Sequence, residues 1–185
     1  MERKPIIGVM GGGEVSSDTL NQSYLLGSLI AGQGWVLLNG GRNSGVMDAS
    51  ARGARDHGGL TIGILPDNDR SRVSDHIQIP IVTGMGSARN AINVLSSDVV
   101  VACPGGPGTL SEIALALKAV KPVVLFHFDA DALALPNRFE ETGLVHRAET
   151  AEQVIEIINR VLKNKNQAVR QGTRRCDKRS IFKHM

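Results

Sequence analysis

Aromatic side chains are scarce: one Trp, one Tyr and four Phe make up 3% of the 185 residues. That scarcity counts against a single-strand nucleic-acid platform, which stacks successive bases on aromatic rings. Cysteine is nearly absent as well. Cys103 lies in an apolar run and Cys176 in a polar one, too few for a disulfide framework or a metal set, so both are expected to be free thiols and no metal site is expected. No apolar run approaches the ~18 residues that span a bilayer, and Met1-Glu2-Arg3-Lys4-Pro5 leads into a short strand-like segment without a signal-peptide core. The expectation is a cytoplasmic protein without membrane contact. The run Gly-x-x-x-x-Gly-Lys-Ser/Thr is missing too, which counts against ATP or GTP hydrolysis.

Charge is present in both signs, for a formal net of +3, but it is unevenly spread. Residues 163–183 carry eight Lys or Arg against one acid, Asp177, so the rest of the chain has an excess of acid. The basic balance belongs to the end of the chain. A division follows: one domain over residues 1–162, and a basic C-terminal tail over 163–185, expected to be mobile.

Through the domain a short β-branched run, a glycine-rich turn and a helical stretch alternate, as in a parallel sheet with crossover helices. Strands are expected at 6–10, 35–38, 60–65, 77–82, 98–102 and 123–126, with a short segment at Leu144-Val145. Asp18 is the expected N-cap of the first helix, whose Leu20, Tyr24, Leu25, Leu29 and Ile30 recur at helical spacing. Further helices are expected at 45–57, 87–96, 109–120 and 151–162, with a charged surface loop at 67–75. The fold class is α/β: a Rossmann-like three-layer sandwich around a central parallel sheet, in a single domain.

Three glycine clusters fall where strands should end. Pro104-Gly105-Gly106-Pro107-Gly108-Thr109 sits between a buried strand and a helix, where glycines allow close approach and the helix N-terminus attracts an anion. Thr109 can add a hydroxyl donor. Gly11-Gly12-Gly13 and Gly40-Gly41-Arg42-Asn43-Ser44-Gly45 end two neighbouring strands, and such loops converge on one crevice in an open parallel sheet. A phosphorylated small molecule is the expected ligand. A nicotinamide dinucleotide is disfavoured, since Gly11-x-Gly13-x-x-Ser16 lacks a third glycine and the second strand is followed by Asn39, not an acid. His57, His76, His127 and His146 lack ligand spacing and are expected at the surface or in turns.

Pro104-Gly-Gly-Pro-Gly-Thr-Leu-Ser-Glu112 resembles the Pro-Gly-Gly-x-Gly-Thr-x-x-Glu signature of the "Lonely guy" (LOG)/lysine-decarboxylase-like superfamily. Gly40-Gly41 through Gly45-Val46-Met47 is similar to that superfamily's Gly-Gly-x-x-Gly-Leu-Met segment, and the resemblance covers most of residues 6–162. For the LOG phosphoribohydrolases it implies that Arg89 and Glu112 are catalytic in releasing a base from AMP or a cytokinin riboside monophosphate. It does not imply lysine decarboxylation. The Met-His-x-Arg-Lys motif of those enzymes is replaced here by Met85-Gly86-Ser87-Ala88-Arg89-Asn90. The spelling Thr83-Gly-Met-Gly-Ser-Ala-Arg-Asn-Ala-Ile-Asn93 is closer to the branch holding the molybdenum cofactor carrier proteins, which bind a phosphorylated pterin without transforming it. The resemblance thus implies molybdenum cofactor or an AMP-like nucleotide as ligand, and a homodimer or tetramer. Ligand contacts are expected from Gly11, Gly12, Gly40, Gly41 and Gly45, from Met85 and Arg89, and from Gly105, Gly106, Gly108, Thr109 and Glu112. A competing reading makes Arg89–Glu112 an ion pair that pins two helix starts. Nucleic acid remains a minor partner class, through a fold relation to the DNA-processing A family and contact by the basic tail.

Overall fold

Strands whose successive side chains are all apolar call for cover on both faces, and the sheet provides it except at one edge, where Ile79, Ile81 and Val82 stay exposed. The structure, a computed structural model, describes residues 3–128 and 138–170. In chain order its elements are β1 (Ile6–Met10), α1 (Ser17–Gly32), β2 (Val36–Asn39), α2 (Gly45–Asp56), β3 (Leu60–Leu65) and β4 (Ile79–Val82). A 3₁₀ turn (Gly86–Arg89) leads into α3 (Asn90–Ser96), β5 (Val99–Ala102), α4 (Pro107–Lys118) and β6 (Val123–Phe126). After them come α5 (Arg138–Glu141), β7 (Val145–Ala148) and α6 (Ala151–Arg170). All neighbouring strands are parallel, in the order β4-β3-β2-β1-β5-β6-β7.

Side-chain alternation divides the core in two. Ile7, Val9, Val99, Val101, Val124 and Phe126 pack under α1, α2 and α6. Met10, Val100, Ala102, Val123 and Leu125 pack under α3, α4 and α5. Full burial of such a side chain contributes roughly 1.5–3 kcal/mol, so the central strands supply much of the fold's stability. The expected three-layer α/β sandwich is what the structure shows.

Several boundaries differ from expectation. Ser16, not Asp18, caps α1: its Oγ accepts from the Thr19 amide at 3.2 Å. Pro107 opens α4 two residues before Thr109, because proline at a first helical position gives up no hydrogen bond. The helix expected over 87–96 begins as a 3₁₀ turn, entered through Gly86 at φ 54°. β4 starts at Ile79 because the Ile77 amide bonds to Ser74 O and Gln78 pairs with Thr61. The final helix runs to Arg170 rather than Leu162, and Lys165 lies 3.6 Å from Asp98. His146 is not a turn residue: it sits half-buried on β7 with an unpartnered Nε2, and burial lowers its pKa, with the charge of Arg160 adding to the effect. Cys103 is a buried free thiol whose pKa burial pushes up to about 12, whereas Cys176 lies outside the described residues.

β1 and β5 are adjacent, yet the chain leaves them toward opposite faces, through α1 and α4. A crevice must open between their carboxyl ends.

Candidate functional site

At that crevice the loops are tied to one another by backbone hydrogen bonds. The Gly12 amide donates to Pro104 O at 2.9 Å, the Cys103 amide to Met10 O at 2.8 Å and the Val46 amide to Gly12 O at 3.0 Å. The approach is close enough to require glycine. A Cβ on Gly105 would stand 2.7 Å from the Gly12 nitrogen, and one on Gly11 would stand 2.6 Å from Val46 Cγ2. Gly45 holds φ 54° against the Gly12 carbonyl, which is how α2 starts directly behind the first loop.

A cavity of about 230 Å³ lies in front of these loops. Its floor is Val9, Met10 and the backbone of Gly11, Gly12 and Gly13. One wall is the first turn of α4, from Gly106 to Thr109, and the other is formed by Gly40, Met47, Arg89 and Asn90, with Glu112 alongside. The Gly108 and Thr109 amides belong to a first helical turn and have no carbonyl four residues back to receive them. Free amides and a helix dipole of this kind favour an anion. The Cβ positions of Gly106 and Gly108 face open space, so the approach is clear.

Arg89 and Glu112 come together as their motifs suggested. Arg89 Nη1 lies 3.4 Å from Glu112 Oε1, and their side chains are 12% and 7% exposed. The same Oε1 accepts from Asn93 Nδ2 at 2.8 Å. Burial pushes the Glu112 carboxyl above the usual range, while Asn93 and Arg89 pull against it. Burial likewise lowers the Arg89 pKa against the attraction of Glu112. Gly40 makes room for the guanidinium: a Cβ there would lie 2.6 Å from Arg89 Nη2 and 2.7 Å from Met47 Sδ. Asn90, where the hydrolase motif has lysine, is spent on α4, donating to Ser111 Oγ at 2.8 Å.

Of the expected contacts, Gly11, Gly12, Gly40, Arg89, Gly106, Gly108, Thr109 and Glu112 line the cavity. Gly41, Gly45 and Gly105 stand behind it and shape the backbone: Gly41 holds φ 76° with Gly63 against its Cα. Met85 is half-exposed in the loop after β4 and does not reach the lining. Sequence reasoning missed Met47, Asn90 and Asn93. For Met47 the signal was available, since it ends the stretch from Gly40 that is similar to the Gly-Gly-x-x-Gly-Leu-Met segment. Asn93 ends the stretch from Thr83 that carries the resemblance, but nothing local marks its role, because an amide inside a short helix looks the same whether it faces solvent or a carboxylate. Among the described residues no cluster of His, Cys, Asp and Glu could hold a metal.

Fold and site together define a LOG-like protein near the molybdenum cofactor carrier branch. Residues 4–155 match the SLOG cluster4 family, and the chain belongs to it. It is 53% identical to the molybdenum cofactor binding protein of the phototrophic bacterium Rippkaea orientalis, covering 88% of this chain and 99% of that one with a TM-score of 0.82. Identity to the molybdenum cofactor carrier protein of Chlamydomonas reinhardtii is 46%, over 87% of this chain and 99% of that one, with a TM-score of 0.77. A cytokinin riboside 5'-monophosphate phosphoribohydrolase of Mycobacterium tuberculosis is 37% identical over 99 residues, 52% of this chain and 53% of that protein, so the match spans about half of the enzyme. The DNA processing protein A of Helicobacter pylori, 20% identical with a TM-score of 0.60, shares the fold alone.

Proposed function

We propose that this chain is a carrier or storage protein for the molybdenum cofactor, which it grips by its phosphate. The observation that carries the reading is the first turn of α4, whose free amides face a cavity walled by glycine backbone and by Arg89. A phosphate fits the donors there, and Arg89 Nε is a buried donor with no partner among the described residues. The likeness to two molybdenum cofactor proteins across nearly their whole length supports the same ligand. Assembly as a homodimer or tetramer and a cytoplasmic location belong to this reading; no helix of the described residues is long and apolar enough to cross a membrane. The decisive experiment is mass spectrometry of the small molecule released from natively purified protein. A phosphorylated pterin is expected, and a different ligand at full occupancy would replace this reading.

The Arg89–Glu112 pair and the partial likeness to a phosphoribohydrolase favour one alternative, cleavage of the base from AMP or a cytokinin riboside monophosphate. Such a reaction calls for one group to activate water and another to protonate the departing base. The described lining offers one carboxylate and no histidine or lysine. Adenine release from AMP, followed by chromatography, is expected to be absent or weak. Robust release that disappears in Glu112→Gln would establish the enzyme instead.

A further inference from the structure

Glu112 is placed unlike a simple ion-pair partner. Both of its polar contacts converge on one oxygen, Oε1: Asn93 Nδ2 at 2.8 Å and Arg89 Nη1 at 3.4 Å. Oε2 has no hydrogen-bond partner among the described residues, although Glu112 lines the cavity. The shorter contact comes from Asn93, which is 0% exposed and one turn beyond Arg89 on α3. The Asn93 main chain is tied at the end of the helix, where Ser97 Oγ donates to Asn93 O at 2.8 Å. Its own Oδ1 is buried without a partner among the described residues, an unsatisfied acceptor that costs the fold stability.

We infer that Asn93 is the positioning residue of this site: its amide clamps Glu112 by Oε1 as an ionised acceptor and leaves Oε2 turned to the ligand. The inference rests on the reading of this cavity as the ligand site and narrows the ligand's chemistry. An anion belongs at the α4 turn. At the Glu112 end the ligand must bring N–H or O–H donors, as an aminopyrimidine edge or a sugar hydroxyl does, since a second anion there would meet a fixed carboxylate. Arg89 is the charged group that faces Glu112, with the Arg42–Asp67 pair acting on Arg89 from beyond.

The test uses ligand-free, full-length protein labelled with 13C at glutamate carboxyls, the Glu112 resonance being assigned by its loss in Glu112→Gln. In Asn93→Leu, which keeps the side-chain bulk and removes the donor, the titration midpoint of Glu112 should rise by about one to two pH units, the worth of a hydrogen bond to a charged group. A residue that merely fills space would lower the melting temperature and leave the midpoint where it was, and that result overturns the inference. In the unmutated protein the Asn93 side-chain NH2 resonances should move with the same midpoint as the Glu112 carboxyl. Their indifference to that titration overturns the inference even where the variant fails to fold. No ligand enters either measurement, so a wrong ligand would defeat the proposed function and not this one.

Discussion

Arg89 combines a weak internal bond with a buried, unpartnered Nε, so its pairing with Glu112 leaves part of its donor capacity unused. A planar guanidinium can grip a phosphate or a polar ligand edge with two bonds, where lysine offers a point charge. Arg89→Lys should therefore weaken ligand binding by roughly 1–3 kcal/mol, and Arg89→Ala by more. Melting curves with and without ligand check this, because loss of a direct contact shrinks the ligand-induced shift, whereas loss of a structural ion pair lowers both curves equally. Gly40→Ala should mimic part of the effect without touching the charge. Its methyl would occupy the space of Arg89 Nη2 and Met47 Sδ and force the guanidinium to shift, so calorimetry should show weaker binding by a protein that still folds.

At the scale of elements, the start of α4 provides the cleanest perturbation. Gly106 has nothing within 4 Å of a would-be Cβ and φ −95°, so a side chain there costs the fold little. Gly106→Asp places a carboxylate where the phosphate should sit and is expected to abolish binding in a calorimetric titration. Gly105→Ala should instead damage the loop, since its methyl meets Thr109 Oγ1 and the Gly12 backbone. The contrast between neighbours explains what the sequence could and could not say. Glycine clusters after β-branched runs are legible because few side chains tolerate close backbone approach, and so the loops at Gly11, Gly40 and Gly105 were located in advance. Which glycine faces the cavity and which faces another loop depends on the tilt of neighbouring strands, and local spelling does not carry that. The same holds for Met85, assigned by motif alignment yet carried away from the cavity by the turn at Gly84 and Gly86. The strands were legible from their apolar runs. The 3₁₀ entry to α3 and the extension of α6 to Arg170 were not: the Gly86 amide is tied to Pro66 O, and Lys165 on α6 meets Asp98, partners distant in sequence.

For the whole molecule, two carboxylates should shape stability in opposite senses. Burial works to raise the pKa of Asp98, but a hydrogen bond from Arg3, the Ile6 amide and the charges of Arg3 and Lys165 outweigh it, and the net value is depressed. A depressed folded pKa gives stability that is present above the unfolded value and lost as pH falls through the folded one. Glu112 is raised, so the cost of holding it charged is present above its folded pKa and relieved as pH falls toward the ordinary carboxylate range. Melting temperature against pH in the ligand-free protein should therefore rise modestly on mild acidification and then drop. Glu112→Gln should erase the rise. Asp98→Asn should flatten the later drop and cost about 1 kcal/mol near neutrality, a small figure because Arg3 and Lys165 are largely exposed and screened.

The Gly12 peptide, hydrogen-bonded to Pro104 on one side and to Val46 on the other, stitches the loops after β1 and β5 to the start of α2. A receptor wall already assembled in this way has little ordering entropy left to lose when ligand arrives. Its kinetics should then be those of simple encounter: in stopped-flow mixing, the observed association rate should climb linearly with ligand concentration and show no plateau from a preceding rearrangement. Residence time, and with it any hand-over of cargo to an acceptor, would be governed by the dissociation rate alone, so an acceptor could hasten transfer only by touching the occupied complex.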